Sequence, residues 1–174
     1  MMYLLAFCRV AIGLVFALSS FSKARELAKF QQAVEGFRLL SRQLSHLAAL
    51  FFLCGEFAVL LLMVIGGPLL FSGFALAILL LLIFCVALAS VLVRRVQTAC
   101  NCFGSSEKPV TLVDIWRNVG LLLCAGGGCE ALIWARGAQE RLEGIAWLLI
   151  ALAAGAFVML WIQLGEIVQL FRRG

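Results

Sequence analysis

Residues 68–93 read PLLFSGFALAILLLLIFCVALASVLV, a run with no charged side chain between Pro68 and Arg94. A helix rises 1.5 Å per residue and the hydrocarbon core of a bilayer is about 30 Å thick, so about 20 apolar residues are enough to span it. This stretch is long enough, and four others resemble it. They are residues 2–22, 44–66, 112–134 and 145–171, with 69–93 the clearest of the five. The 112–134 run is the weakest, but Trp116 and Trp134 lie 18 residues apart. That is about 27 Å along a helix, the spacing of two aromatic anchors at opposite bilayer interfaces.

Composition points the same way. Of 174 residues, 64% are hydrophobic and a further 16 are glycine, while only 13% are charged. Soluble domains are about 45–50% apolar and about 25% charged. Disorder, collagen-like repeats and a water-soluble enzyme are excluded. The expected fold is all-α: one integral membrane domain over residues 1–174, a polytopic bundle of five spanning helices. The N-terminal run has no basic region ahead of it and is interrupted by Arg9, so it reads as a span rather than a signal peptide. Gly66-Gly67-Pro68 predicts a tight reversal. Residues 24–40 place Leu27, Phe30, Val34 and Phe37 on one stripe, which predicts an amphipathic helix in the interface plane between the first and second spans.

With five spans, the 23–43 and 94–111 connections and the C-terminus share one side. That side carries Lys23, Arg25, Lys29, Arg38, Arg42, Arg94, Arg95, Lys108, Arg117, Arg172 and Arg173, which is 11 of the 14 basic residues. The net charge of +5 is therefore juxtamembrane, and binding to a lipid bilayer rather than to nucleic acid is expected.

Two of the seven cysteines, Cys100 and Cys102, stand outside the apolar runs, in Cys100-Asn101-Cys102-Phe103-Gly104. Asn101 and Gly104 tolerate a bent backbone, which neighbouring thiols need in order to meet. Thr111-Leu112-Val113-Asp114 has the form of a capping box, so the pair precedes the positive end of a helix, with Arg94, Arg95 and Lys108 close in sequence. Such surroundings favour the thiolate. Three readings stay open: redox-active thiols, a perch for a soft ion such as Cu(I) or Hg(II), and a structural staple in a non-enzymatic scaffold. Tetrahedral zinc needs two more ligands, which the loop lacks, and His46 stands alone.

Charges inside the spans need partners. Arg9 lies about 10 Å below the end of the first helix. Glu56 and Glu130 are its candidate partners, with Glu56 expected in the bundle interior as helix glue or as a proton carrier. Cys8, Cys54, Cys85, Cys124 and Cys129 read as plain packing. Arg117 and Asn118 are expected to brace the cysteine loop from below, and Lys23 with the 24–40 helix to cover it from above.

The opening Arg9, Gly13, Phe16, Ser19 and Lys23, the intramembrane acid Glu56, and Cys100-x-Cys102-Phe103-Gly104 followed by Arg117-Asn118 resemble the MauE/DoxX-like membrane proteins. The resemblance runs from the first helix through the fourth. It implies a redox-associated inner-membrane protein of the methylamine-utilisation type, with Cys100 and Cys102 as reacting thiols and a thioredoxin-like partner. By analogy with the VKOR/DsbB bundles it also brings in a quinone. Those quinone-linked enzymes use a C-x-x-C at a helix end and a second cysteine pair, and neither pattern is present here. Orientation carries a conflict: the positive-inside rule puts the loop in the cytoplasm, whereas disulfide chemistry belongs on the oxidising face. The chemistry is given precedence here, with the loop extracytoplasmic.

Overall fold

A computed structural model describes residues 1–36, 42–94, 111–135 and 144–173. These form six helices: α1 (Met2–Arg25), α2 (Leu27–Gly36), α3 (Arg42–Ile65), α4 (Leu70–Val93), α5 (Leu112–Ala135) and α6 (Gly144–Arg173). The all-α polytopic bundle expected from the sequence is what the chain adopts. Among the described residues, four stretches are long and apolar enough to cross a membrane: Met2–Arg25, Gln43–Ile65, Gly67–Val93 and Gly144–Gln163. The fifth expected span, at α5, is not among them, although its 24 residues equal α1 in length. Asp114, Arg117 and Glu130 dilute its apolarity. Trp116 and Trp134 are both exposed near its two ends, as interfacial anchors are.

The breaks between helices follow local chemistry. α1 ends at Glu26, whose φ of −124° and ψ of 44° leave the helical region. Its carbonyl then accepts from the Phe30 amide at 3.0 Å, so α2 starts at once in a new direction. α3 ends at Gly66 and Gly67, with φ of 71° and 61°, which is backbone that side chains rarely tolerate. A single 3-10 turn over Gly67–Leu69, with Pro68 inside it, feeds α4. The predicted reversal is therefore present. The predicted interfacial helix is α2, which packs against α3.

Four helices close a ring: α1 packs on α3 and α5, and α4 packs on the same two. Neighbours in the ring run antiparallel. Along α1, Arg9 meets Met63 and Val64 of α3 while Lys23 meets Glu56. α6 leans on the outside of α1. Half of the α1 span is buried against 17% of the α6 span, so α1 is the central helix. Its inward residues include Ala6, Cys8, Ala11 and Ser20, small side chains that let helices approach. Around them Ile12, Phe16, Val59, Phe74, Leu121 and Val158 fill the core. Leu47, Phe51, Leu61, Val64, Val86 and Leu148 point outward. In a membrane their solvent is lipid, so outward exposure does not penalise them.

Candidate functional site

The polar centre of the bundle is built where α1, α2, α3 and α4 meet. Lys23, in the last turn of α1, turns inward and forms an ion pair with Glu56 of α3, their side chains 2% and 8% exposed. Ser19, one turn earlier on the same face, donates its hydroxyl to the same Glu56 oxygen at 3.1 Å. The Lys23 ammonium also sits 4.8 Å from the Phe30 ring centre and 5.2 Å from that of Phe84. Two aromatic faces and one carboxylate thus replace its water. Glu56 Oε2 is buried and has no hydrogen-bond partner among the described residues. An ionised carboxylate with one bare oxygen in an apolar interior is costly unless a further donor reaches it.

A small, partly open cleft lies against this pair. Phe16, Phe52, Phe84 and Leu121 make its apolar walls, and Ser19, Lys23, Glu56 and Asn118 supply its polar groups. Few polar groups converging in an apolar hollow is the usual make-up of a small-molecule or proton-handling site. The cleft belongs to one end of the bundle. Lys23 is near the end of α1 and Asn118 near the start of α5, while Phe84 is in the second half of α4. From this same end the chain leaves α4 at Arg94 and re-enters at Thr111.

The start of α5 is braced as its sequence predicted. The Asp114 carboxylate accepts from the Thr111 amide at 2.8 Å and from the Thr111 hydroxyl at 3.0 Å. This is half of a capping box, because the threonine oxygen donates to the carboxylate instead of accepting an amide of the first turn. Asn118 donates to the Asp114 carbonyl at 2.9 Å, and Trp161 of α6 donates to the Arg117 carbonyl at 3.1 Å. Arg117 and Asn118 are buried, so both lock the first turns of α5. Cys100, Cys102, Phe103 and Gly104 lie outside the described residues.

Three expectations need correction. Arg9 does not pair with Glu56 or Glu130. Its guanidinium donates to the Met63 and Val64 carbonyls at 2.7 and 3.0 Å, capping the end of α3. A long arginine reaches the carbonyl-rich, negative end of a helix more readily than an acid half-way down it. Glu130 is exposed on α5 rather than interior. Lys23, counted among the juxtamembrane charges, is instead buried, because α2 folds back and Phe30 seals its head group into the bundle. The sequence reading missed the Lys23–Glu56 pair. The signal was there: Ser19 and Lys23 are one helical turn apart on the buried face.

Fold and site together define a multi-pass helical membrane protein with a buried acid–base pair at one end of its bundle. The chain belongs to the MauE family: the model of methylamine utilisation protein MauE matches residues 1–135. It is also 34% identical over 154 residues to the methylamine utilization protein MauE of Paracoccus denitrificans, covering 84% of this chain and 82% of that one. No solved structure matches.

Proposed function

We propose that the chain is a membrane thiol–disulfide redox protein, in which Cys100 and Cys102 exchange electrons with a thioredoxin-like partner and so support disulfide formation or maturation of a partner protein. The observation that carries this reading is the Lys23–Glu56 pair with its bare carboxylate oxygen, lining a cleft at the end of the bundle where the Cys100–Cys102 segment begins and ends. Thiol–disulfide exchange moves protons with electrons. A partner thiolate attacks one sulfur of the Cys100–Cys102 bridge and forms a mixed disulfide. The partner's second thiolate then displaces it, leaving the partner oxidised and the loop as a dithiol. Return of the loop to the disulfide passes two electrons and two protons to an acceptor, a bilayer quinone or a second protein. Glu56 is the group in the cleft suited to relay those protons.

Methylamine utilisation, the role in the relative's name, supplies the setting in which the partner works. The inner membrane is the site, with the loop on the extracytoplasmic, oxidising side. The test is capture. Cys100→Ala or Cys102→Ala should accumulate a mixed disulfide with the partner that dithiothreitol releases. Full function with both thiols removed would end the reading. Glu56→Gln should slow turnover at least tenfold while capture persists, and unchanged turnover would remove the proton role alone.

A further inference from the structure

On all four helices of the ring the cleft stops at one level. Val15 is its deepest lining residue on α1, Glu56 on α3, Leu80 on α4 and Leu121 on α5. The buried residues next below them are Ile12, Val59, Phe74, Ala77 and Ala125, all 0% exposed, and Met63 at 3% follows. None of these side chains carries a hydrogen-bond donor. The helices also close on one another here. A Cβ built on Gly128, three residues past Ala125, would fall 2.5 Å from the Phe74 ring, so nothing fits between. Glu56 stands nine residues before Ile65, the end of α3, so this closed layer is about 13 Å deep. An apolar interior without room or polar partners stays dry.

The cleft above the layer is different. It has polar groups on its walls and room for about two water molecules. A buried water makes about three hydrogen bonds, chiefly to groups left unsatisfied by the protein. Glu56 Oε2 is such a group, with no partner among the described residues. Asn118 is a second partner for water. Its Nδ2 donates to the Asp114 carbonyl at 2.9 Å, which fixes the amide and leaves its second N–H and its Oδ1 for other bonds.

We propose that the cleft holds a short chain of bound water joining Glu56 Oε2 to the Asn118 amide, and that through it Glu56 exchanges protons with the cysteine-segment end of the bundle and with no other. Asn118 is then a positioning residue for the proton path, held in place by the first turns of α5. Its place fits that role, because it stands six residues after Leu112, about 9 Å below the start of α5. A proton that reaches Oε2 comes from the water beside it and leaves by the same water. Oε1 keeps the Lys23 ammonium and the Ser19 hydroxyl throughout. The closed layer bars the other direction, so turnover carries no proton from one face of the membrane to the other. The use of this path rests on the proton relay proposed above. The water and the dry layer beneath it do not.

Protein with Cys100 and Cys102 both replaced by serine therefore separates failure of this inference from failure of the loop chemistry. It is placed in lipid nanodiscs and given a millisecond X-ray pulse, which makes hydroxyl radicals from water where the water stands. A side chain deep in the bundle is oxidised only where water is held against it, and mass spectrometry reads the positions. Phe16 is 4% exposed and lines the cleft, whereas Phe74 is 0% exposed and lies below it. Phe16 should be hydroxylated roughly tenfold faster than Phe74, because only the cleft has room and partners for water. Met63 should stay as silent as Phe74, although a thioether is readily oxidised. Phe16 as silent as Phe74 would overturn the water, and an oxidised Met63 would overturn the one-sided path. Asn118→Leu and Asn118→Met, both apolar and close in size, should each bring Phe16 down to the level of Phe74. Unchanged labelling of Phe16 in whichever of the two folds better would overturn the role of Asn118.

Discussion

Breaking the Lys23–Glu56 pair from either side should cost far more than an ordinary contact between membrane helices. Lys23→Met keeps the aliphatic stem beneath Phe30 and Phe84 but leaves the Glu56 carboxylate with only the Ser19 hydroxyl. Glu56→Gln keeps the shape but leaves an ammonium between two rings. Both side chains are more than nine-tenths buried, so neither orphan charge can turn to water. Removing one member of a buried pair costs about 3–5 kcal/mol, because the remaining charge stays desolvated. The double variant removes both charges and should cost much less than the sum, which gives a coupling of about 2–4 kcal/mol. Neutral hydrogen bonds between membrane helices average about 0.6 kcal/mol, so the two interpretations are well separated. The assay is reversible unfolding in mixed micelles of rising dodecyl sulfate fraction, followed by circular dichroism for the four proteins of the cycle. A coupling of 3 kcal/mol is about a hundredfold in the unfolding constant. Coupling at or below about 0.6 kcal/mol would mean the charges do not depend on one another, and the reasoning would be refuted.

Other consequences are simpler. Gly66→Ala should lower stability by about 1–3 kcal/mol, because its backbone region is nearly glycine-only. Its Cβ would also fall 2.5 Å from the Arg9 guanidinium, so the loss should shrink in an Arg9→Ala background. Gly120→Ala places a Cβ 2.1 Å from Trp161, whose indole stacks on Phe157 and donates to the Arg117 carbonyl. Overpacking of this kind costs about 1–3 kcal/mol, and a shifted tryptophan emission with an unchanged unfolding midpoint would count against it. Asp114→Ala removes the acceptor of the Thr111 amide and should cost about 1 kcal/mol, read as faster amide exchange at the start of α5. In intact cells a membrane-impermeant maleimide should label Cys100 and Cys102, and labelling only after the membrane is broken would place the loop inside.

The helices themselves were legible because lipid as solvent makes hydrophobic length nearly sufficient. The Gly66-Gly67 reversal and the Thr111–Asp114 bracing were legible too, since both are set by neighbouring residues. Partners across helices were not. Depth counting put Arg9 and Glu56 within reach of each other, but depth ignores where a side chain points, and the free carbonyls of α3 were the better target. Lys23 read as an interface charge because Arg25 follows it and α1 ends there. Only the turn at Glu26, which brings Phe30 back over it, makes it interior.

The two basic centres on α1, Arg9 and Lys23, separate by one criterion. Arg9 finds backbone carbonyls that every helix end leaves free, so its charge closes a structural need and asks for nothing further. The Lys23–Glu56 pair does not close. One carboxylate oxygen is spent on the ammonium and on Ser19, and the other is buried beside a cleft with no partner among the described residues. A fold that wanted only to glue α1 to α3 could use the Arg9 solution twice, or bury two apolar side chains with less desolvation. Keeping an incomplete acid–base pair beneath the exit of the cysteine segment is a cost in stability. It is intelligible where protons or a hydrogen-bond donor must come and go.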